Sequence, residues 1–217
     1  MKGLFIKDWK LLKTQKIFLV MIFAIGIFLS VSRLLDFTFV LVYMTFISHI
    51  FVISSLSYDE YQNGYQFLFT LPITRKDYVK EKYCFGFFTT FLFWICVTLL
   101  TLFVETSHQV ELVYIDYFAL CFIILLASLI FVSFLLPIQF HFGKSSGNIA
   151  MVICTCLLLL ILILGVRFSL FNGFSFFNDI VSRIGLLGLS GCLCILTLLI
   201  IQISYHRSLR LMRRKEL

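Results

Sequence analysis

The chain has 217 residues, 61% of them apolar and 13% charged, with mean hydropathy +1.04. A soluble domain carries roughly 45–50% apolar and 25% charged residues, so no water-soluble fold hides this much apolar surface. The formal charge of +7 would suggest nucleic acid in a soluble protein; here the basic residues mark membrane orientation, and no nucleic-acid partner is expected.

The first sixteen residues hold Lys2, Lys7, Lys10, Lys13 and Lys16. On a helical wheel Leu4, Phe5, Leu11 and Leu12 share a face, Lys7, Lys10 and Lys13 lie opposite, and Trp9 sits at the boundary. That is the pattern of an amphipathic helix lying in the membrane interface, although Asp8 falls on the apolar face and breaks it. Two other accounts stay open: a flanking charge cluster that only sets topology, and a cleavable signal peptide ending near Ser30-Val31-Ser32. Against the signal peptide, Arg33 would become the new N-terminus only a few residues before another apolar run.

Six apolar runs follow, at 17–32, 37–56, 84–104, 117–136, 149–166 and 184–203. Each is about long enough to cross a hydrocarbon core of roughly 30 Å, the first and fifth being the shortest. The expected fold is all-α: a single polytopic transmembrane domain over 1–217 with six membrane helices. Fifteen Lys and Arg residues fall on one side of these spans, and only Arg33, Arg167 and Arg183 on the other. The positive-inside rule then puts both termini in the cytoplasm of a multi-pass plasma-membrane protein.

Between the second and third spans lies the longest polar segment, 58–82. Leu71 precedes Pro72, which disfavours helix at Leu71 and ends whatever began near Asp59. Thr74 can cap a new helix, with Asp77 three residues on to complete a capping-box-like pair. The second helix is expected to run into the third span. Lys82 reads as a surface lysine that tolerates Ala.

Inside the spans, Thr45, Ser48, His49 and Ser55 share one helical face, and Thr90, Trp94, Thr98 and Thr101 form another leading towards Glu105. Such faces point into protein or a polar cavity and not into lipid, either as a transport pathway or as interhelical hydrogen-bonding glue. Gly185, Gly188 and Gly191 recur every three residues and permit close helix approach, within or between subunits. The seven cysteines lie in or at the edge of apolar runs and read as small packing residues. Neither Cys-x-Cys pair can clamp one ion, because residues two apart on a helix point about 200° apart. No metal site or cofactor is expected in the chain.

Catalysis has no candidate residues. The four histidines are scattered over different segments and no paired carboxylates occur inside the spans. Gly143-Lys144-Ser145 matches the end of a phosphate-binding loop, but its first glycine would have to stand at 138, which is Ile138.

The opening Met1-Lys2-Gly3-Leu4 with Lys7-Asp8-Trp9-Lys10, then Asp59-Glu60, Asn63-Gly64, Leu71-Pro72-Ile73-Thr74-Arg75 and Lys80, resembles the small six-span permeases of type-two ABC exporters. The match in motifs covers about the first 85 residues and the match in topology the whole chain. The resemblance implies a subunit that pairs with itself or a sister permease and with separate cytoplasmic ATPases, which bind the ATP and Mg. It implies an interfacial helix (Lys7, Trp9, Lys10) and a coupling segment (Asp59, Glu60, Gly64, Leu71, Pro72, Thr74, Arg75, Lys76) facing those ATPases. Its members include Gram-positive permeases exporting phenol-soluble-modulin-like peptides, so amphipathic peptides are the first expected substrate. A non-transporting membrane scaffold or sensor fits composition and topology equally well, and an intramembrane enzyme less well, since only His49 qualifies as an acidic or histidine group deep in a span.

The charge split is checked by single cysteines in a Cys-free variant. Cysteines at 110 and 172 should react with an impermeant thiol reagent on intact cells and one at 145 should not; the opposite pattern reverses the orientation.

Overall fold

The computed structural model describes the backbone of residues 2–32, 36–61, 64–108, 113–169 and 175–214, and the side chains of 3–32, 36–61, 64–108, 113–142, 188 and 190–213. Seven helices make up these residues: α1 (Lys2–Thr14), α2 (Lys16–Ser32), α3 (Phe37–Glu60), α4 (Gly64–Thr70), α5 (Arg75–Ser107), α6 (Tyr114–Ser169) and α7 (Ser175–Arg214). No strand occurs among the described residues. An all-helical answer follows from the solvent, because lipid offers no partner to backbone N–H and C=O groups and a helix satisfies them within the segment.

Among the described residues four stretches are long and apolar enough to cross a membrane: Phe37–Glu60, Arg75–Ser107, Tyr114–Phe142 and Ser190–Arg213. A fifth arises if α1 and α2, bent by 64° at Gln15, count as one broken span. The sequence reading counted six. The run at 149–166 and the start of 184–203 lie outside the described side chains. Where a connection near Lys144 was expected, α6 continues as helix to Ser169, and no proline interrupts 138–169.

The elbow between α1 and α2 is pinned rather than free. Gln15 donates its backbone N–H to the Leu12 carbonyl at 3.2 Å, and its side-chain amide donates to Ser54 Oγ on α3 at 2.7 Å. With 33 residues at about 1.5 Å each, α5 is roughly 50 Å long, well beyond a 30 Å core. Its charges crowd 75–82 and none follows until Glu105, so the apolar stretch 84–104 is the membrane part and 75–82 its polar end.

Two layers of apolar side chains pack inside the bundle. At the end that carries α4, Leu4, Leu56, Leu68, Tyr78, Leu136 and Met212 meet; further along, Ile22, Leu41, Met44, Phe93, Val97 and Tyr117 form the second layer. Three helices meet closely at Gly86, where a Cβ would lie 3.1 Å from Val132 and 3.5 Å from Val52. A larger residue would wedge α5 away from α3 and α6. Large apolar side chains such as Phe28, Leu99, Phe103, Leu198 and Ile203 are left exposed, as befits surfaces solvated by acyl chains.

Pro137 lies inside α6 and has no N–H to give the Ser133 carbonyl four residues earlier. Ser204 of α7 supplies the missing donor through its hydroxyl. Because a hydroxyl has one proton, Tyr83 must then donate to Ser204 Oγ, 2.5 Å away, and Ser208 to the Tyr83 oxygen at 2.8 Å. A four-member chain of hydroxyls and carbonyl thus ties α5, α6 and α7.

Ser204→Ala should destabilise the protein by about 1 kcal/mol. In a Pro137→Ala background, where the Ser133 carbonyl regains its own helical partner, the same change should cost markedly less. Thermal melting of the four variants measures the coupling; equal losses in both backgrounds would dissociate Ser204 from the proline.

Candidate functional site

The polar end of α5 packs against α1, the end of α3, α4 and the end of α7. At its centre is Lys82, with no exposed surface. Its ammonium has three protons and three partners: the Asp8 carboxylate of α1, Asp59 Oδ2 of α3 at 2.7 Å, and Ser55 Oγ of α3 at 2.6 Å. Asp59 also accepts from the Tyr78 hydroxyl at 3.0 Å and from the Lys7 ammonium, and Lys7 stands 3.3 Å from Asp8 Oδ1. Asp8 is as buried as Lys82.

Lys82 is therefore not the surface lysine that the sequence suggested. Nor does Asp8 spoil the apolar face of α1; it lies there because its cation lies across the interface. Burial raises the Asp8 carboxyl, but Lys82 and Lys7 outweigh it and hold the acid below its ordinary range. Burial likewise lowers Lys82, and Asp59, Asp8 and Glu81 outweigh that, leaving the ammonium above its ordinary range. Glu81 goes the other way. Burial first, then the Asp8 charge, push its carboxyl up to about 8 against the pull of Lys82. Its neutral form is thus favoured beside the Asp8 charge, and the ion pairs of the block are those of Lys82 and Lys7 with Asp8 and Asp59.

The coupling segment is built on this block. α4 starts at Gly64, where a Cβ would stand 2.6 Å from the Asp59 carbonyl, so only glycine lets the chain turn back this close to α3. Tyr65 and Leu68 bury α4 against Tyr78, whose ring lies edge-on to Tyr65 at 5.7 Å. Glu60 is half-buried beside Tyr65. Leu71 and Pro72 form the break after α4 and are exposed, as is Lys76. Thr74 then caps α5: it accepts from the Asp77 N–H at 3.1 Å and donates to Asp77 Oδ2 at 2.6 Å, which keeps the exposed Asp77 carboxyl below its usual range. From this cap α5 runs unbroken into its apolar stretch.

Arg75, expected at the ATPase contact, is half-exposed and reaches α7. It donates to the carbonyls of Met212 and Arg213 at 3.2 and 2.8 Å, capping the last turn of α7 where helical carbonyls lack partners. Of the interfacial residues, Lys10 is exposed and Trp9 half-buried, its ring edge-on to Phe88 with the Lys13 ammonium 6.0 Å over it.

The candidate pathway residues are buried or half-buried in the bundle and line none of the described cavities. Thr45, Ser48, Thr90 and Thr98 donate to carbonyls of their own helices; Trp94 donates to the Cys121 carbonyl at 2.8 Å. Ser55 serves Lys82. His49 donates to the Phe46 carbonyl and sits between the Phe46 and Phe131 rings. At Gly191 a Cβ would meet nothing within 4 Å, Gly188 is half-buried, and the side of Gly185 lies outside the described residues. Cys121 is buried, but Cys84 and Cys192 are exposed rather than packed inside the chain, and Cys154 and Cys156 lie outside the described side chains. Among the described residues no group of His, Cys, Asp or Glu is set to hold a metal ion.

Comparison with known proteins places the chain. The family described as "ABC-2 family transporter protein" matches residues 3–213, nearly its full length, and the chain belongs to that family. No curated protein and no solved structure gives a match.

Removing one partner of a buried ion pair costs about 3–5 kcal/mol, because the other charge is left uncompensated. Lys82→Ala should therefore reduce membrane abundance and thermal stability severely. Lys82→Met combined with Asp8→Asn should be milder than Lys82→Met alone, as read by melting of the solubilised protein. Wild-type stability of Lys82→Ala would exclude the network as a structural element.

Proposed function

We propose that this ABC-2 family member is the transmembrane permease subunit of an ABC exporter, coupled through the exposed turn at Leu71 and Pro72 to an ATPase on a separate chain. The observation that carries this reading is the rigid connection beneath that turn. A power stroke in a separate subunit moves membrane helices only through a stiff contact. Here α4 and the α5 cap stand on a block in which Lys82 joins α1, α3 and α5, and α5 runs from that block into the membrane as one helix. Arg75 extends the same block to α7, so force on the turn reaches four helices.

The finer reading adds six spans, both termini in the cytoplasm of the plasma membrane, and a second permease, identical or sister, completing the transporter. The interfacial face of Lys10 and Trp9 lies at the same end and would meet the ATPase or the lipid beside it. ATP and Mg belong to the partner subunit, consistent with Ile138 standing where a phosphate loop needs glycine. Amphipathic or hydrophobic peptides remain the first substrate class, as in the Gram-positive peptide exporters the N-terminal motifs resemble.

Leu71→Asp is the clean probe, since Leu71 is 46% exposed and makes no part of the ion network. It should abolish export and permease-dependent stimulation of the ATPase at unchanged abundance, whereas Arg75→Asp should also loosen α7 and lower the melting temperature. Normal transport by a Leu71→Asp, Arg75→Asp double variant at wild-type abundance would remove the turn from the mechanism and favour a scaffold or sensor.

A further inference from the structure

Near the basic end of the bundle, α6 and α7 enclose a cavity of about 440 Å³ that opens to the outside of the protein. Its two walls differ in chemistry. Phe134, Pro137 and Ile138 of α6 give an apolar floor, with Phe134 and Phe142 exposed beside it. Arg207 and Arg210, one turn apart on α7, stand over the cavity with His141 of α6. Both arginines are exposed, and no carboxylate among the described residues pairs with either.

Depth settles what such a cavity suits. Met212 and Arg213 are at the polar end, where Arg75 reaches them; Arg207 lies five residues, roughly 8 Å, nearer the membrane middle. That is the level of lipid headgroups, where arginines snorkel to phosphate and the surface below them meets acyl chains. We propose that this cavity binds one anionic phospholipid, its phosphate held by Arg207 and Arg210 with His141, and its upper acyl chain laid on Phe134, Pro137 and Ile138. The charge complementarity and the apolar floor select the lipid over a soluble anion, which would gain nothing from the floor. Seated there, the lipid bridges α6 and α7 beside the proline whose carbonyl Ser204 satisfies. The site depends on the chain lying in a membrane and not on what the chain transports.

The test titrates the full-length solubilised protein, without any ATPase, with phosphatidylglycerol, phosphatidylcholine or glycerol phosphate, following binding by native mass spectrometry and by thermal melting. Phosphatidylglycerol should bind tightest and raise the melting temperature. Arg207→Gln with Arg210→Gln should weaken it roughly 30-fold, the value of two juxtamembrane basic residues, while melting in phosphatidylcholine stays at wild type. Arg213→Gln, a basic residue of the same helix outside the cavity, should change binding little. If the double variant melts early even in phosphatidylcholine, Phe134→Gln on the exposed floor gives the second reading and should also weaken phosphatidylglycerol. The proposal is overturned if the arginine and floor variants bind phosphatidylglycerol like wild type, if phosphatidylcholine binds equally, or if glycerol phosphate alone reproduces the shift. In a separate pull-down from membranes, arginine variants that lose an ATPase partner while binding phosphatidylglycerol like wild type would also overturn it, by making the arginines a protein contact. Export and ATPase stimulation are measured separately, so failure here leaves the coupling turn untouched.

Discussion

A lysine ammonium with no exposed surface constrains everything around it. Taking such a charge out of water costs several kcal/mol unless the surroundings return opposite charge and hydrogen bonds. For Lys82 three acceptors are needed, and no single neighbour can supply them. Asp8 comes from α1, while Asp59 and Ser55 come from α3 one turn apart. The three helices must therefore converge at one point and in one register. The position of α1 against the bundle, the direction in which α3 ends and the depth of the first turns of α5 all follow from that meeting.

The convergence also explains the local chemistry next to it. Because Asp59 faces inward at the end of α3, the chain has to reverse at once, and Gly64 is the residue that tolerates its carbonyl at close range. Because Tyr78 donates to Asp59, its ring is fixed, and α4 packs on that ring. The Leu71–Pro72 break then stands on a rigid base rather than at the tip of a loose loop. For a protein whose proposed work is to receive force from another subunit, stiffness at the contact matters as much as its sequence.

Deeper in the bundle the hydrophobic effect does little to hold helices together, since lipid is as apolar as leucine. Small residues and hydroxyls do it instead. Gly86 admits two valines, Trp94 reaches a carbonyl on α6, and the Ser208–Tyr83–Ser204 chain ends on the carbonyl that Pro137 left without a partner. The polar faces of α3 and α5 are spent mostly on their own helices' carbonyls.

Much of this was legible in the residues alone. Composition and apolar run length decide for membrane helices because the requirement is local: each helix must satisfy its own backbone in lipid. The cap at Thr74 and the break at Pro72 are equally local, set by one hydroxyl and one missing N–H, and they stand where the residues put them. What the sequence could not decide were the partners of charges. Lys82 looked like one more basic residue in a cytoplasmic cluster, and nothing near Arg75 announced its bonds to the α7 carbonyls, because sidedness in a helix is defined by neighbours far along the chain. The one warning was Asp8, a carboxylate on an apolar face. Its counter-ion lies 74 residues away, and only the packing of α1 on α5 brings them together.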